Sequence, residues 1–139
     1  MKKVLLDTNI VLDFVLKRKP FYENAQAIFF EIVKGNMEGY ITASMATDIF
    51  YLLQKTNGKK FAKDTFADLL VIVDVLTVYR EDVYIAQQWE WDDFEDALQT
   101  QVAIHGNMDA IVTRNITDYK KAQHLDIVQP ADFIQYLRK

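Results

Sequence analysis

Val4-Leu5-Leu6-Asp7-Thr8-Asn9 is the stretch whose reading decides the fold. Three apolar residues end in an acid, a hydroxyl and an amide, and a helical pattern begins at once. This reads as a buried strand whose carboxyl end carries Asp7, with Thr8 or Asn9 capping the helix that follows. In open α/β sheets ligands bind outside the carboxyl ends of the strands, so Asp7 stands where chemistry is usually done. The plainer alternative makes Asp7 only a helix-terminus acid, favoured by the dipole.

Further along the chain, short apolar runs alternate with helical patterns. Residues 9–17 suit a short buried helix, stopped by Lys17-Arg18-Lys19-Pro20. Phe21, Ala25, Ile28, Phe29 and Ile32 then recur at helical spacing up to Gly35. Gly39–Thr42 reads as a second strand. Thr42 or Ser44 caps a third helix with Met45, Ile49, Phe50, Leu52 and Leu53 on its apolar face, closed by Asn57-Gly58. Residues 59–73 form a fourth helix with Phe66, Leu69, Leu70 and Val73 on one side, and Val75–Tyr79 a third strand. Glu81-Asp82 opens a fifth helix and Asp93 a sixth, with Phe94, Ala97, Leu98, Gln101 and Val102 facing inward. Ala110–Thr113 and Asp126–Val128 are the last strands, and Ala131–Leu137 a terminal helix. The alternation predicts an α/β fold: one domain over residues 1–139, with a five-stranded, mostly parallel sheet and helices on both faces.

Composition narrows the class. Half of the 139 residues are hydrophobic, enough for one globular core. With no cysteine, a disulfide scaffold and a thiolate metal site are both excluded. The apolar start stops at Asp7, too short for an export signal, and no run approaches a membrane span, so a cytoplasmic protein without membrane contact is expected. The net charge of −4 argues against a protein that coats nucleic acid, but not against local basic patches around an acidic site.

Parallel topology sorts the acids by sheet edge. Asp7 follows the first strand, and Asn115 and Asp118 follow the fourth, so these share the carboxyl edge. Asp109 and Asp126 precede their strands and fall at the other edge. Asp48 borders the apolar stripe of the third helix, where propensity gives no reason for an aspartate. In Asp92-Asp93-Phe94-Glu95-Asp96, Asp93 reads as the N-cap and Asp96 as the third helical residue, nearer the core than Asp92 or Glu95. Two carboxylates about 4 Å apart repel by roughly 4 kcal/mol at an effective dielectric of 20. Bringing Asp7, Asp48, Asp96 and Asp118 together therefore calls for a counter-ion or shared protons. Oxygen-only ligands suit Mg²⁺ or Mn²⁺, and such ions assist phosphodiester hydrolysis.

These residues resemble a family. Leu-Leu-Asp-Thr-Asn, Thr47–Leu53, Asp93–Gln99 and Ile111–Tyr119 resemble, in order, the four motifs of PIN-domain ribonucleases of the bacterial VapC-like toxin type. The resemblance implies a PIN-like fold and a metal site of Asp7, Asp48, Asp96 and Asp118, with Thr8, Asn9, Asp93, Thr113 and Asn115 in support. It further implies cleavage of an RNA substrate, a cognate antitoxin protein and a homodimer. Phe29, Phe30, Phe50, Tyr51, Trp89 and Trp91 add an apolar excess consistent with an interface. The family's second acid is usually glutamate, and here it is Asp48, one methylene shorter. The alternative is an inactive PIN-like module that binds RNA or protein. A phosphatase using Asp7 as nucleophile would want a second acid at position 9, which is Asn9. Lys17, Arg18, Lys19, Arg114, Lys120 and Lys121 form the candidate RNA-binding set. Trp89 and Trp91 read as core or dimer contacts, with base stacking as the alternative.

Overall fold

Val4, Leu5 and Leu6 are fully buried, and a strand covered on both faces has no polar positions to alternate. This strand, β1 (Lys2–Leu6), accordingly lies in the middle of the sheet in the computed structural model, which describes residues 1–139. It pairs with β2 (Met37–Thr42) on one side and β4 (Ala110–Val112) on the other. β3 (Asp74–Leu76) and β5 (Asp126–Val128) complete the order β3-β2-β1-β4-β5, with every pair parallel.

That order positions the site. The chain leaves β1 toward β2 and β3, then crosses back to β4 and β5. Right-handed crossovers running in opposite directions put their helices on opposite faces, and a crevice opens beyond the carboxyl ends of β1 and β4. The helices are α1 (Thr8–Val15), α2 (Tyr22–Val33), α3 (Ala43–Ile72), α4 (Arg80–Gln88), α5 (Phe94–His105) and α6 (Phe133–Arg138). No helix is long and apolar enough to cross a membrane.

Local chemistry accounts for most of the boundaries. Asp7 itself caps α1, accepting from Thr8 N–H at 2.9 Å, so neither Thr8 nor Asn9 takes that role. Thr42 caps α3 through Met45 N–H at 3.1 Å. Asn57-Gly58 breaks α3 into the two helical stretches expected there. Gly58, at φ +89° and ψ 175°, occupies a region essentially restricted to glycine. Asp82, wholly buried, reaches back to Tyr79 N–H at 2.9 Å and starts α4. β3 is shorter than Val75–Tyr79, because Tyr79 already belongs to that cap.

Two helix faces differ from expectation. Leu70 and Phe94 are 42% and 48% exposed rather than inward, since the rotation of each helix turns Leu69 and Ala97 to the core instead. Part of the apolar excess is also absorbed internally. Phe29 is buried and stacks on Phe14 at 4.1 Å, and Phe50 meets Phe66 edge-on at 5.9 Å. Phe30 and Tyr51 remain exposed.

Candidate active site

Asp7 is held by three local features. Its backbone N–H donates to the Val112 carbonyl at 3.0 Å, which ties the end of β1 to β4. One carboxylate oxygen caps α1, and the other accepts from the Thr113 hydroxyl at 2.8 Å. Thr113 Oγ1 in turn accepts from Asn115 N–H at 3.1 Å. A chain of hydrogen bonds therefore runs from the β4 exit to Asp7, fixing its rotamer before any ligand arrives.

Around Asp7 lies a polar cleft of about 430 Å³ lined by Thr8, Asn9, Asp48, Tyr51, Leu52, Asp93, Glu95, Asp96, Gln99, Asn115 and Asp118. Asp48, Asp96 and Asp118 are thus gathered with Asp7 from α3, α5 and the turn after β4. Asp93 caps α5 through Glu95 N–H at 2.8 Å and Asp96 N–H at 3.3 Å, so its carboxylate is partly committed to structure. Asp109 lies at the opposite edge, its carboxylate accepting from Lys3 N–H at 2.8 Å.

The sequence did not single out Glu95, which lines the cleft, or Tyr119, which packs behind Asp96. Glu95 stands beside Asp48, although an acid at the second helical position reads as a dipole partner. Tyr119 is buried, donates to Gln99 Oε1 at 2.8 Å and sits against Asp96. Its only signal was an aromatic residue ending the Ile111–Tyr119 segment.

The acids perturb one another. Burial raises Asp7 above the usual carboxylate range, and the charge of Asp118 adds to this. The bonds from Thr113 and Thr8 work against it. Burial, then Asp48, Asp93 and Asp7, raise Glu95. Asp96 is pushed up to about 6, first by burial and then by Asp93, Asp118 and Asp7. Tyr119 is raised by burial and by Asp7 and Asp96, so it stays a neutral donor.

A raised carboxylate favours the folded state while it is protonated and penalises it once ionised. Asp96 therefore contributes its full stability below about pH 4, and this is lost as pH rises through about 6. In EDTA, the melting temperature of Asp96→Asn minus that of wild type should grow between pH 4.5 and pH 7. Melts that keep a constant difference across that range would contradict the assignment.

As the side chains stand, no three acids or histidines converge closely enough to grip one ion. The donor set nevertheless fits a hard divalent cation. It is oxygen-only, and its members destabilise one another's ionised forms. Thr8 Oγ1, buried at the same cleft, also lacks a partner.

Arg18 and Arg114, expected to meet RNA, are engaged within the protein. Both pair with Asp13, which is 1% exposed: Arg18 Nε at 2.9 Å, and Arg114 Nε at 3.0 Å but off line for a hydrogen bond. Arg18 also donates to Asn9 Oδ1 at 3.0 Å, and the Arg114 guanidinium lies 3.8 Å over the Phe21 ring. Lys19 pairs with Glu23 on the surface and Lys17 is exposed. Only Lys120 and Lys121 of the basic set line a recess shared with Asp96 and Asp118.

A family model described as "PIN domain" matches residues 3–117. No curated protein matches in sequence. Solved structures resemble the fold over nearly its whole length. VapBC-1 from nontypeable Haemophilus influenzae superposes with a TM-score of 0.71 at 16% identity, covering 93% of this chain and 98% of that one. VapBC2 from Rickettsia felis, bound to a DNA fragment from its promoter, gives 0.69 at 18%, covering 91% and 98%. VapC20 from Mycobacterium tuberculosis, a sarcin-ricin-loop-cleaving toxin, gives 0.68 at 14%, covering 88% and 98%.

Proposed function

The chain belongs to the PIN-domain family, and on that premise we propose that it is a metal-dependent endoribonuclease, the toxin of a toxin–antitoxin pair. One observation carries the reading: Asp7, Asp48, Asp96 and Asp118 line a single cleft at the sheet's switch point. An arrangement that raises its own members' ionisation costs calls for an occupant that relieves the repulsion. Asp7, Asp96 and Asp118, together with Asp48 of the same cleft, would hold Mg²⁺ or Mn²⁺. When bound, such an ion supplies charge neutralisation, a more acidic water and stabilisation of the leaving oxygen.

The chain's own residues do the rest. Thr113 and Thr8 N–H keep the Asp7 carboxylate fixed, and Asn115 N–H keeps Thr113 fixed. Tyr119, buried, holds Gln99 of the cleft wall and borders Asp96. Glu95 and Asp48 add negative charge on the wall, where a proton released from an attacking water can be taken up. The partners proposed are an RNA substrate, a cognate antitoxin, as in the toxin–antitoxin complexes whose fold it shares, and a second copy of the chain.

The absence of three preassembled carboxylates favours the alternative of a binding module that does not cut. One assay separates the two. Purified protein incubated with structured RNAs should cut in Mg²⁺ or Mn²⁺ and stop in EDTA. Binding without cleavage in either metal would establish the module instead.

A further inference from the structure

Beside the acidic cleft lies a second groove, of about 650 Å³, whose lining includes Trp89, Trp91, Ile104, Lys120, Lys121 and His124. The two are continuous. A smaller recess between them shares Trp91, Lys120 and Lys121 with the groove, and Asp96 and Asp118 with the acids. The indoles of Trp89 and Trp91 have centroids 5.7 Å apart and planes tilted by 38°, so they splay rather than stack. Trp91 packs on the core and is braced edge-on by Tyr119 at 6.3 Å. Trp89, just beyond the end of α4, is half-buried and lies outside the core. Lys121 donates to the Glu90 carbonyl at 2.6 Å, and neither Lys120 nor Lys121 is paired with a carboxylate.

We propose that this groove is a subsite for the single-stranded RNA segment flanking the scissile bond, with a base on Trp89 and backbone phosphates on Lys120 and Lys121. The inference rests on the ribonuclease reading of the neighbouring cleft. A polyanion approaching a chain of net charge −4 and a ring of acids needs cations close to that ring. Lys120 and Lys121 are the two candidates that line the connecting recess. Aromatic faces next to them hold bases without regard to sequence, since every base presents a π-face. A folded protein partner would bury the indoles equally well, but it would not account for unpaired lysines aligned with the acidic cleft.

The chain has only two tryptophans, both in this groove, so intrinsic fluorescence reports on it alone. The probe is an unstructured, fluorescein-labelled 12-nucleotide RNA titrated with the protein in EDTA, with gels verifying that it stays intact. Tryptophan quenching should track the anisotropy rise. Trp89→Ala should weaken binding by about tenfold, and Trp89→Phe by much less. Replacing Lys120 and Lys121 together by alanine should reduce the salt slope of binding by roughly 1.4. Binding without quenching, or with an unchanged Kd in Trp89→Ala, overturns the subsite; if wild type still cuts RNA in Mg²⁺, the ribonuclease reading survives. Fluorescence that shifts with protein concentration before RNA is added makes the groove an interface between copies, which also overturns it. RNA that is neither bound nor cut removes the ribonuclease reading and the subsite together.

Discussion

Asp7→Asn should abolish RNA cleavage, with a rate loss on the order of a hundredfold or more, while leaving the fold intact. An ion in the cleft loses a charged oxygen held on a central strand, and several kcal/mol of transition-state stabilisation corresponds to at least that factor. Two changes in stability oppose each other. Asparagine caps a helix as well as aspartate, so the bond from Thr8 N–H survives. With the amide oxygen on Thr8 N–H, the NH2 group faces Thr113 and cannot accept its hydroxyl, which costs about 1 kcal/mol. Against this, a buried charge and its repulsion with Asp118 disappear. Without metal the melting temperature should therefore be unchanged or higher. Adding Mg²⁺ should raise the melting temperature of wild type more than that of the variant. Paired melts and cleavage rates decide the matter: a variant that cuts at the wild-type rate would show Asp7 to be only a cap.

Asp13→Ala should have the largest effect on stability, although Asp13 plays no part in the proposed chemistry. Its carboxylate is 1% exposed and stands between two guanidiniums, one arriving from the loop after α1 and one from the end of β4. Removing one partner of a buried pair costs about 3–5 kcal/mol, because the other charge is left unpaired. Arg18 and Arg114 retain 36% and 25% side-chain exposure, so water compensates in part and a cost of about 3 kcal/mol is expected. For a chain of this length that corresponds to a melting point roughly 10 °C lower. The loss should also reach the site, because Arg18 holds Asn9 and Arg114 adjoins Asn115. Unfolding in urea measures it directly. A change below about 1 kcal/mol would mean that the network is a solvated surface cluster.

Asp13 also marks where sequence reading ends. Its neighbours Leu12 and Phe14 are apolar, and nothing local tells a buried aspartate from one facing water. Its partner Arg114 lies 101 residues away. That pairing exists only because β4 is inserted beside β1, which brings the two strand exits together. The same sheet order makes Arg114, one of the six candidate RNA-binding cations, a counter-ion of Asp13, whereas Arg18 reaches Asp13 from five residues away.

What the sequence by itself determined is local and periodic. The apolar run ending at Asp7 located a strand terminus. Asn57-Gly58 placed a helix break, and Asp93 as a cap placed Asp96 one turn into α5. Strands too apolar to alternate required a parallel sheet, and a parallel sheet sorts acids by edge without any coordinates. Tertiary structure alone decided which side chains share the cleft and how closely. Glu95 enters it because the first turn of α5 comes near Asp48 of α3, Tyr119 packs behind Asp96, and the carboxylates stop short of a common coordination sphere. These depend on crossover direction and helix rotation, which are set by packing between residues distant in the chain. No pattern of period two or 3.6 encodes such contacts.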